Sequence, residues 1–353
     1  YFLILYGENL WESVDAETAI DVYREIHEIL PQLPSNFSVD ELCKYYHEYI
    51  NALFHIGQHK KTLPLLEEFS QIPDKSKKYQ FILNNRYSVY YFRSKNFFLA
   101  KTYIEKSISC AQEMNDDFWL STAYSEMAYN YMLNKNDGNQ AISFFTLSNQ
   151  LYHEAEDKTY YRKIEITNQK ALVELLSGHY DQAICEINKS IAYSLEINNT
   201  YMTIKAYNIL GIILAMDGKL NESIGQWKKA VCMAERIKSM NWIIGLHCNI
   251  GVSFILQSQV SQSRYHFNVA WGCYKSKHNI ESIPANNDIF FYNLLLFWRM
   301  DHQEENINLF CRNCKSDKLL SYLHDLQTIE DYWEYCRSEY QSLLGVGGLN
   351  FCF

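Results

Sequence analysis

The sequence predicts an all-α protein built from repeated helix hairpins, and three observations support this prediction. The 353 residues include only 5 Pro and 13 Gly, which disfavours an all-β chain and long disordered linkers. Small residues recur about every 40 positions, each inside an apolar pattern of helical period. No apolar run approaches the ~18 residues that a membrane span needs. We therefore expect one stack of hairpins rather than two unrelated globular domains.

The clearest repeat begins at Leu210-Gly211 and continues with Leu214, a turn glycine at Gly218, and Trp227 and Ala230 on a second helix. This order of large and small residues is the tetratricopeptide pattern, in which small side chains let two helices approach closely. Equivalent close-contact positions recur along the chain at Gly7, Ile50, Ser88, Ala128, Ala171, Gly211, Gly251 and Leu294.

These repeats predict a right-handed superhelical solenoid of about eight helix hairpins over residues 1–315. Apolar residues at helical spacing predict a C-terminal capping helix over 316–343, followed by a tail at 344–353. The spacing exceeds the ~34 residues of an ordinary tetratricopeptide repeat, so longer helices or longer loops are expected. The chain begins at Tyr1 rather than Met, which leaves open a preceding segment outside this sequence.

Net charge and cysteine content indicate which partners and which cellular compartment to expect. A net charge of −9 would repel a phosphate backbone, so we expect no nucleic-acid partner for this segment. The 10 cysteines lie at irregular spacings inside helical patterns, which predicts free thiols in a reducing, cytoplasmic compartment rather than a disulfide framework. The short apolar runs also make a membrane partner unexpected.

Asparagines recur on the first helix of successive hairpins. Three residues before the close-contact position stand Asn85, Asn168 and Asn208. First helices line the concave face of such a solenoid, and an asparagine can both donate to and accept from the backbone of an extended peptide. We therefore predict a peptide-binding row; the alternative is three asparagines that only face solvent.

Two further sets of residues extend the predicted peptide site. Arg86 and Arg93 share a helix with Asn85 and are candidates to anchor a peptide carboxylate, or else are solvated surface residues. Apolar residues flank the asparagine row, which suits a ligand channel but equally suits packing against the second helices. Those assigned to the site are Val89, Phe92, Tyr129, Met132, Leu172, Leu175 and Ile212.

No enzyme motif is present, and no cofactor is predicted. The sequence has no Gly-rich phosphate loop and no G-x-S-x-G or H-E-x-x-H run, so we predict a non-enzymatic protein. Cys311 and Cys314 form a lone C-x-x-C; a zinc site would also need His302 and Cys336, and nothing in their spacing requires a metal. His266 is interpreted as a solvated or capping residue.

Repeats of this length, with inner-helix asparagines and an apolar channel, resemble the cytosolic peptide-pheromone receptors of Gram-positive bacteria, the group of Rap, Rgg, NprR, PlcR and PrgX. The resemblance covers nearly the whole chain, and the number of hairpins is most similar to NprR. It implies a short signalling peptide held in the groove by Asn85, Asn168 and Asn208. It also implies a change of conformation or homodimer geometry that regulates transcription through an N-terminal helix-turn-helix domain, which this sequence does not contain.

Two other functions remain open. One is a protein-recognition array within a larger signalling ATPase, for which more charged residues are expected on the inner helices. The other is a passive protein–protein scaffold or chaperone adaptor, in which Lys and Arg would occupy the positions that hold asparagine here. The apolar inner row favours a small, partly hydrophobic peptide over both.

Overall fold

The computed structural model describes residues 16–32, 37–55, 58–94, 96–133, 138–154, 160–277, 288–314 and 320. The chain divides into two compact units, one of residues 1–158 and one of residues 159–352. We call these the first unit and the second unit. The described elements of both are helical.

The described residues of the first unit form three helix hairpins preceded by one helix. Consecutive helices pair as α2 with α3, α4 with α5, and α6 with α7, and α1 packs against α2. The helices are α1 (Ala16–Ile29), α2 (Val39–His55), α3 (Thr62–Gln71), α4 (Lys77–Arg93), α5 (Phe97–Met114), α6 (Asp117–Leu133) and α7 (Gly138–Glu154). Short 3-10 helices lie at Leu30–Gln32 and His59–Lys61.

The described residues of the second unit continue the same pattern with four hairpins, in which each first helix packs against the helix that follows it. Its helices are α8 (Tyr160–Leu176), α9 (Tyr180–Glu196), α10 (Thr200–Met216), α11 (Leu220–Arg236), α12 (Met240–Leu256), α13 (Val260–Lys277), α14 (Asp288–Met300) and α15 (Glu304–Asn313).

Helix length accounts for the long repeat. The helices α8 to α12 have 17 residues each, and turns of three residues join them. Two such helices and two such turns give the forty-residue period seen in the sequence. The extra residues therefore lie in longer helices and not in longer loops. Gly178 and Gly218, at φ +77° and +78°, stand where these turns need the left-handed region that glycine enters without strain.

The predicted close-contact positions are confirmed wherever the structure describes them. Ile50, Ser88, Ala128, Ala171, Gly211, Gly251 and Leu294 are all buried. The reason for a small residue is clearest at Gly211, where an added Cβ would lie 2.3 Å from Nε1 of Trp227 on α11. The all-α tetratricopeptide-like hairpin array predicted from the sequence is therefore the fold of this protein.

Three predictions fall outside the described residues: the repeat at Gly7, the tail at 344–353 and, apart from Leu320, the capping helix at 316–343. Among the helices that are described, none is long and apolar enough to cross a membrane.

Candidate functional site

The three predicted asparagines lie on first helices, but they are not an open row. Asn85 on α4, Asn168 on α8 and Asn208 on α10 are 5%, 2% and 1% exposed. This differs from the prediction of side chains that face a groove. For Asn208, a contact with Asn249 on the first helix of the next hairpin contributes to this burial.

Asn208 shows how neighbouring first helices are joined. Its Oδ1 accepts a hydrogen bond from Nδ2 of Asn249 on α12 at 3.1 Å, a contact between residues 41 positions apart. Its backbone carbonyl accepts from Nε1 of Trp227 at 3.2 Å. Asn208 thus links two consecutive hairpins as well as the two helices of its own hairpin.

Asn168 occupies the equivalent position one repeat earlier, but its hydrogen bonding differs from that of Asn208. Its Oδ1 is buried and has no hydrogen-bond partner in the described part of the chain. A buried amide oxygen without a donor costs about 1–3 kcal/mol, so such atoms are uncommon in folded proteins. Oδ1 of Asn168 therefore still lacks a hydrogen-bond donor.

The predicted apolar wall divides into two groups. Val89, Phe92, Tyr129 and Ile212 are half-buried and remain reachable by solvent. Leu172 and Leu175 are each 3% exposed and lie in the core, unlike the half-buried members of the wall, and their contact with a peptide stays a prediction. Apolar residues on this face of α8 are instead covered by neighbouring helices, the alternative that the sequence left open. Met132 lies in α6 outside the described side chains.

The two predicted arginines have different surroundings. Nη1 of Arg93 donates to the carbonyl of Phe54 at 2.7 Å, and the guanidinium lies 4.8 Å from the centre of the Phe54 ring. Arg93 therefore caps the end of α2, and its contact with a peptide stays a prediction. Nε of Arg86 is buried without a hydrogen-bond partner in the described residues. Burial lowers the pKa of Arg86, although Glu126 and Glu48 oppose this effect.

A histidine pair in the second unit was missed by the sequence analysis. His266, interpreted there as solvated or capping, is buried and its Nδ1 lies 3.0 Å from Nδ1 of His247. Phe254 stacks on the His266 ring at 5.7 Å. Burial lowers the pKa of both histidines to about 4, and each histidine is therefore neutral near pH 7. The two residues belong to different helices, so no local sequence pattern indicates that they pair.

The described residues offer no cluster of three or more metal-binding side chains. Cys311 is exposed and Cys314 is half-buried, while Cys336 lies outside the described residues. Burial raises the pKa of Cys311, which disfavours the thiolate that metal binding requires.

Comparison with known proteins places the fold. No family model and no curated protein matches the sequence. A Rap protein complexed with Competence and Sporulation Factor shares 15% identity with this chain, covers 99% of it and 96% of its own length, and has a TM-score of 0.65. NprR in complex with its cognate peptide NprX shares 11% identity over 99% of this chain and 97% of its own, with a TM-score of 0.56.

A third solved structure belongs to a different class of protein. The signal transduction ATPase with numerous domains from Pyrococcus horikoshii, which has a tetratricopeptide repeat sensor, shares 13% identity. The match covers 93% of this chain and 50% of the ATPase, with a TM-score of 0.52. This chain has a tetratricopeptide-like repeat fold. At identities of 11–15%, these likenesses establish the fold alone.

Proposed function

We propose that this chain is a non-enzymatic cytoplasmic sensor that binds a short extended peptide along the first helices of its second unit. Peptide binding would then act on an output domain by changing the conformation or the homo-oligomeric state of this chain. The output we propose is transcription regulation by an attached or partner domain, with NprR as a functional analogue. The shared fold supports this proposal, because the Rap and NprR structures contain Competence and Sporulation Factor and NprX respectively.

The observation that carries the proposal is the unsatisfied oxygen of Asn168. Oδ1 of this residue is buried without a donor in the described residues, at the helix position that holds Asn208 one repeat later. A peptide backbone N–H is a donor of the required kind. Ligand binding would therefore supply a hydrogen bond that the free protein lacks.

The link between Asn208 and Asn249 supplies a mechanism for switching. Their 3.1 Å hydrogen bond ties α10 to α12, the first helices of consecutive hairpins. A peptide that bonds to Asn208 would compete with Asn249 and favour a different spacing of the two hairpins. Because each hairpin of such an array contacts mainly its neighbours, a ligand that spans several hairpins shifts the population of conformers.

Native mass spectrometry with a pool of peptides of about five to ten residues tests this proposal, since such peptides span several repeats. We expect a one-to-one adduct. Replacing Asn168 with Ala should then weaken binding by about 1–3 kcal/mol, because a peptide N–H loses its acceptor. The same change should leave stability nearly unchanged, since Oδ1 has no partner to lose. Asn208→Ala should weaken binding by a similar amount and also lower stability, since it breaks the bond to Asn249.

Asn268→Ala is the matched control, because Asn268 is exposed on the second helix α13. The control should bind peptide as tightly as the parent chain. If Asn168→Ala and Asn208→Ala also bind as tightly as the parent, the asparagines do not hold the peptide. Absence of any adduct from the pool would contradict the peptide-sensor proposal itself.

The second candidate is recognition of a folded protein, either as the sensor array of a signalling ATPase or as a scaffold. Two large aromatic side chains favour it, because Phe98 and Tyr265, on the second helices α5 and α13, are 79% and 66% exposed. Exposed aromatic residues are typical anchors of protein interfaces. If no peptide binds, capture of a folded partner that is lost with Tyr265→Ser would support this function.

A further inference from the structure

Hydrogen bonds between side chains join consecutive first helices at two places in the array. In the second unit, Nδ2 of Asn249 on α12 donates to Oδ1 of Asn208 on α10 at 3.1 Å. In the first unit, Oγ of Ser88 on α4 donates to Oε2 of Glu126 on α6 at 3.3 Å. Asn249 and Glu126 both stand two residues before the close-contact position of their own helix. We call a hydrogen bond of this kind a rung, and this helix position the rung position.

The rung position of α10 holds Ile209, whose side chain has no hydrogen-bonding group. The helices α8, α10 and α12 have 17 residues each and begin forty residues apart, so residues at this spacing are structurally equivalent. Asn168 and Ile209 therefore correspond to Asn208 and Asn249 one repeat later. The structure agrees with this correspondence, because Oδ1 of Asn168 is buried without a hydrogen-bond partner in the described residues.

The unpaired oxygen of Asn168 thus has its cause in the next repeat. The helices α8 and α10 pack against one another, and Ile209 is 1% exposed. At this position, apolar packing stands where the following junction has a hydrogen bond. The two junctions of the second unit that join α8 to α10 and α10 to α12 therefore differ in one specific interaction, although their helices have the same length.

This difference changes how the packed helices are able to move. A hydrogen bond is directional and apolar packing is not, which is why a buried asparagine pair fixes the register of neighbouring helices. Sliding of α10 against α12 breaks the bond between Asn208 and Asn249. Sliding of α8 against α10 breaks no such bond. A slide that brings water to Oδ1 of Asn168 also recovers part of the cost of burying this atom.

We propose that the junction of α8 and α10 is a hinge of the second unit, created by Ile209 at the rung position opposite Asn168. The hairpins α8–α9 and α10–α11 shift relative to each other there by small sliding of packed helices. The junction of α10 and α12, which has its rung, is stiffer. The hinge is a property of the ligand-free chain, so it goes beyond the proposed peptide binding and does not depend on it.

Double electron–electron resonance of the whole chain without ligand measures this motion. Spin labels on Cys185 of α9 and Cys232 of α11, which are both exposed, report the junction of α8 and α10. Labels on Cys232 and on Asn268→Cys of α13 report the junction of α10 and α12, since residue 268 is exposed. In each sample the other reactive cysteines are replaced by serine. We expect a broader distribution of distances for the first pair of labels than for the second.

Two reciprocal substitutions test the cause of the hinge. Ile209→Asn supplies the missing rung and should narrow the distribution across the junction of α8 and α10. Asn249→Ile removes the existing rung and should broaden the distribution across the junction of α10 and α12. Ile209→Asn combined with Asn168→Ala is the matched control, because the new amide then has no acceptor, and the broad parental distribution should return. Equal widths for both junctions in the parent, or widths that neither substitution changes, would overturn the proposal.

Thermal melting separates the rung from general packing. The loss of a buried isoleucine lowers the melting temperature of Ile209→Asn by itself, so the test is a comparison: Asn168→Ala should cost about 2–4 °C more in this variant than in the parent. An equal cost in both would show that residue 209 does not meet Asn168, and the hinge would lose its basis. If Ile209→Asn does not fold, Asn249→Ile decides alone, and an unchanged distribution across the junction of α10 and α12 refutes the proposal.

Discussion

At the residue scale, the contact between Gly211 on α10 and Trp227 on α11 determines how closely these two helices approach each other. The indole occupies the space that a Cβ of residue 211 would fill, and Nε1 donates to the carbonyl of Asn208. Gly251 has the same relation to Phe267, where an added Cβ would lie 2.6 Å from the ring. Glycine is needed here because the aromatic ring lies directly on the helix backbone, not for conformational freedom.

Gly211→Ala should therefore lower the free energy of unfolding by about 1–3 kcal/mol, because the strain of moving a buried indole exceeds the ~1 kcal/mol that alanine gains in a helix. Urea denaturation of the two proteins measures the difference. Gly225→Ala is the matched control, since an added Cβ on Gly225 would meet nothing within 4 Å. The control should be more stable than the parent by about 0.5–1 kcal/mol. Equal stabilisation by both changes would contradict the close-packing argument.

At the scale of the element, the hairpin of α12 and α13 contains the buried histidine pair. One Nδ1 must donate and the other must accept across their 3.0 Å contact, so at least one ring must be neutral and protonation of both rings breaks the hydrogen bond. The pKa of each is lowered to about 4 by burial, and Lys228 on α11 and the neighbouring histidine further lower that of His266. Tyr265, on the His266 helix, is the other titratable group whose ring lies against the pair.

Acid should therefore destabilise this hairpin. An unfolded histidine binds its proton near pH 6.5, whereas the folded pair resists protonation until about pH 4, so stability is lost as the pH falls between these values. We expect a loss of about 2–4 kcal/mol from pH 7 to pH 4, allowing for partial hydration of the rings. Urea denaturation at several pH values measures it.

The variant His247→Gln with His266→Gln tests the assignment, because glutamine keeps polarity but does not titrate. Its loss of stability on acidification should be smaller than that of the parent. His179→Gln removes an exposed histidine from the turn between α8 and α9, and it should keep the parental pH dependence. The same acid loss in the glutamine double variant as in the parent would assign the effect to other groups.

The elements were largely predictable from the sequence, and the site was not. The repeat fixes helix positions because Gly211, Trp227 and their equivalents recur at constant offsets that only a stacked hairpin satisfies. The asparagine row lies on the predicted helices, yet its burial depends on partners one repeat away, as the contact of Asn208 with Asn249 shows. The burial of Leu172 was unpredictable for the same reason, since an apolar residue on a first helix can line a channel or pack in the core.

At the scale of the whole molecule, each of the two compact units is a series of helix hairpins. Stability in such arrays is approximately a sum of the intrinsic stability of each repeat and of the interfaces between adjacent repeats. A local change should therefore act mainly on nearby hairpins. This locality is also what would let a ligand alter one part of the array while the rest stays folded.

Hydrogen–deuterium exchange of Gly211→Ala tests this locality. The strained contact with Trp227 should raise amide exchange in α8 to α13, because these helices belong to the same hairpin as residue 211 or to the adjacent ones. Exchange in α2 to α7 of the first unit should match that of the parent, since no strained contact is introduced there. The Gly225→Ala control should slow exchange in α11 and leave α2 to α7 unchanged. A uniform rise across both units in Gly211→Ala would show that the chain opens as one cooperative body, in which case a peptide bound to any one hairpin would stabilise all of them together.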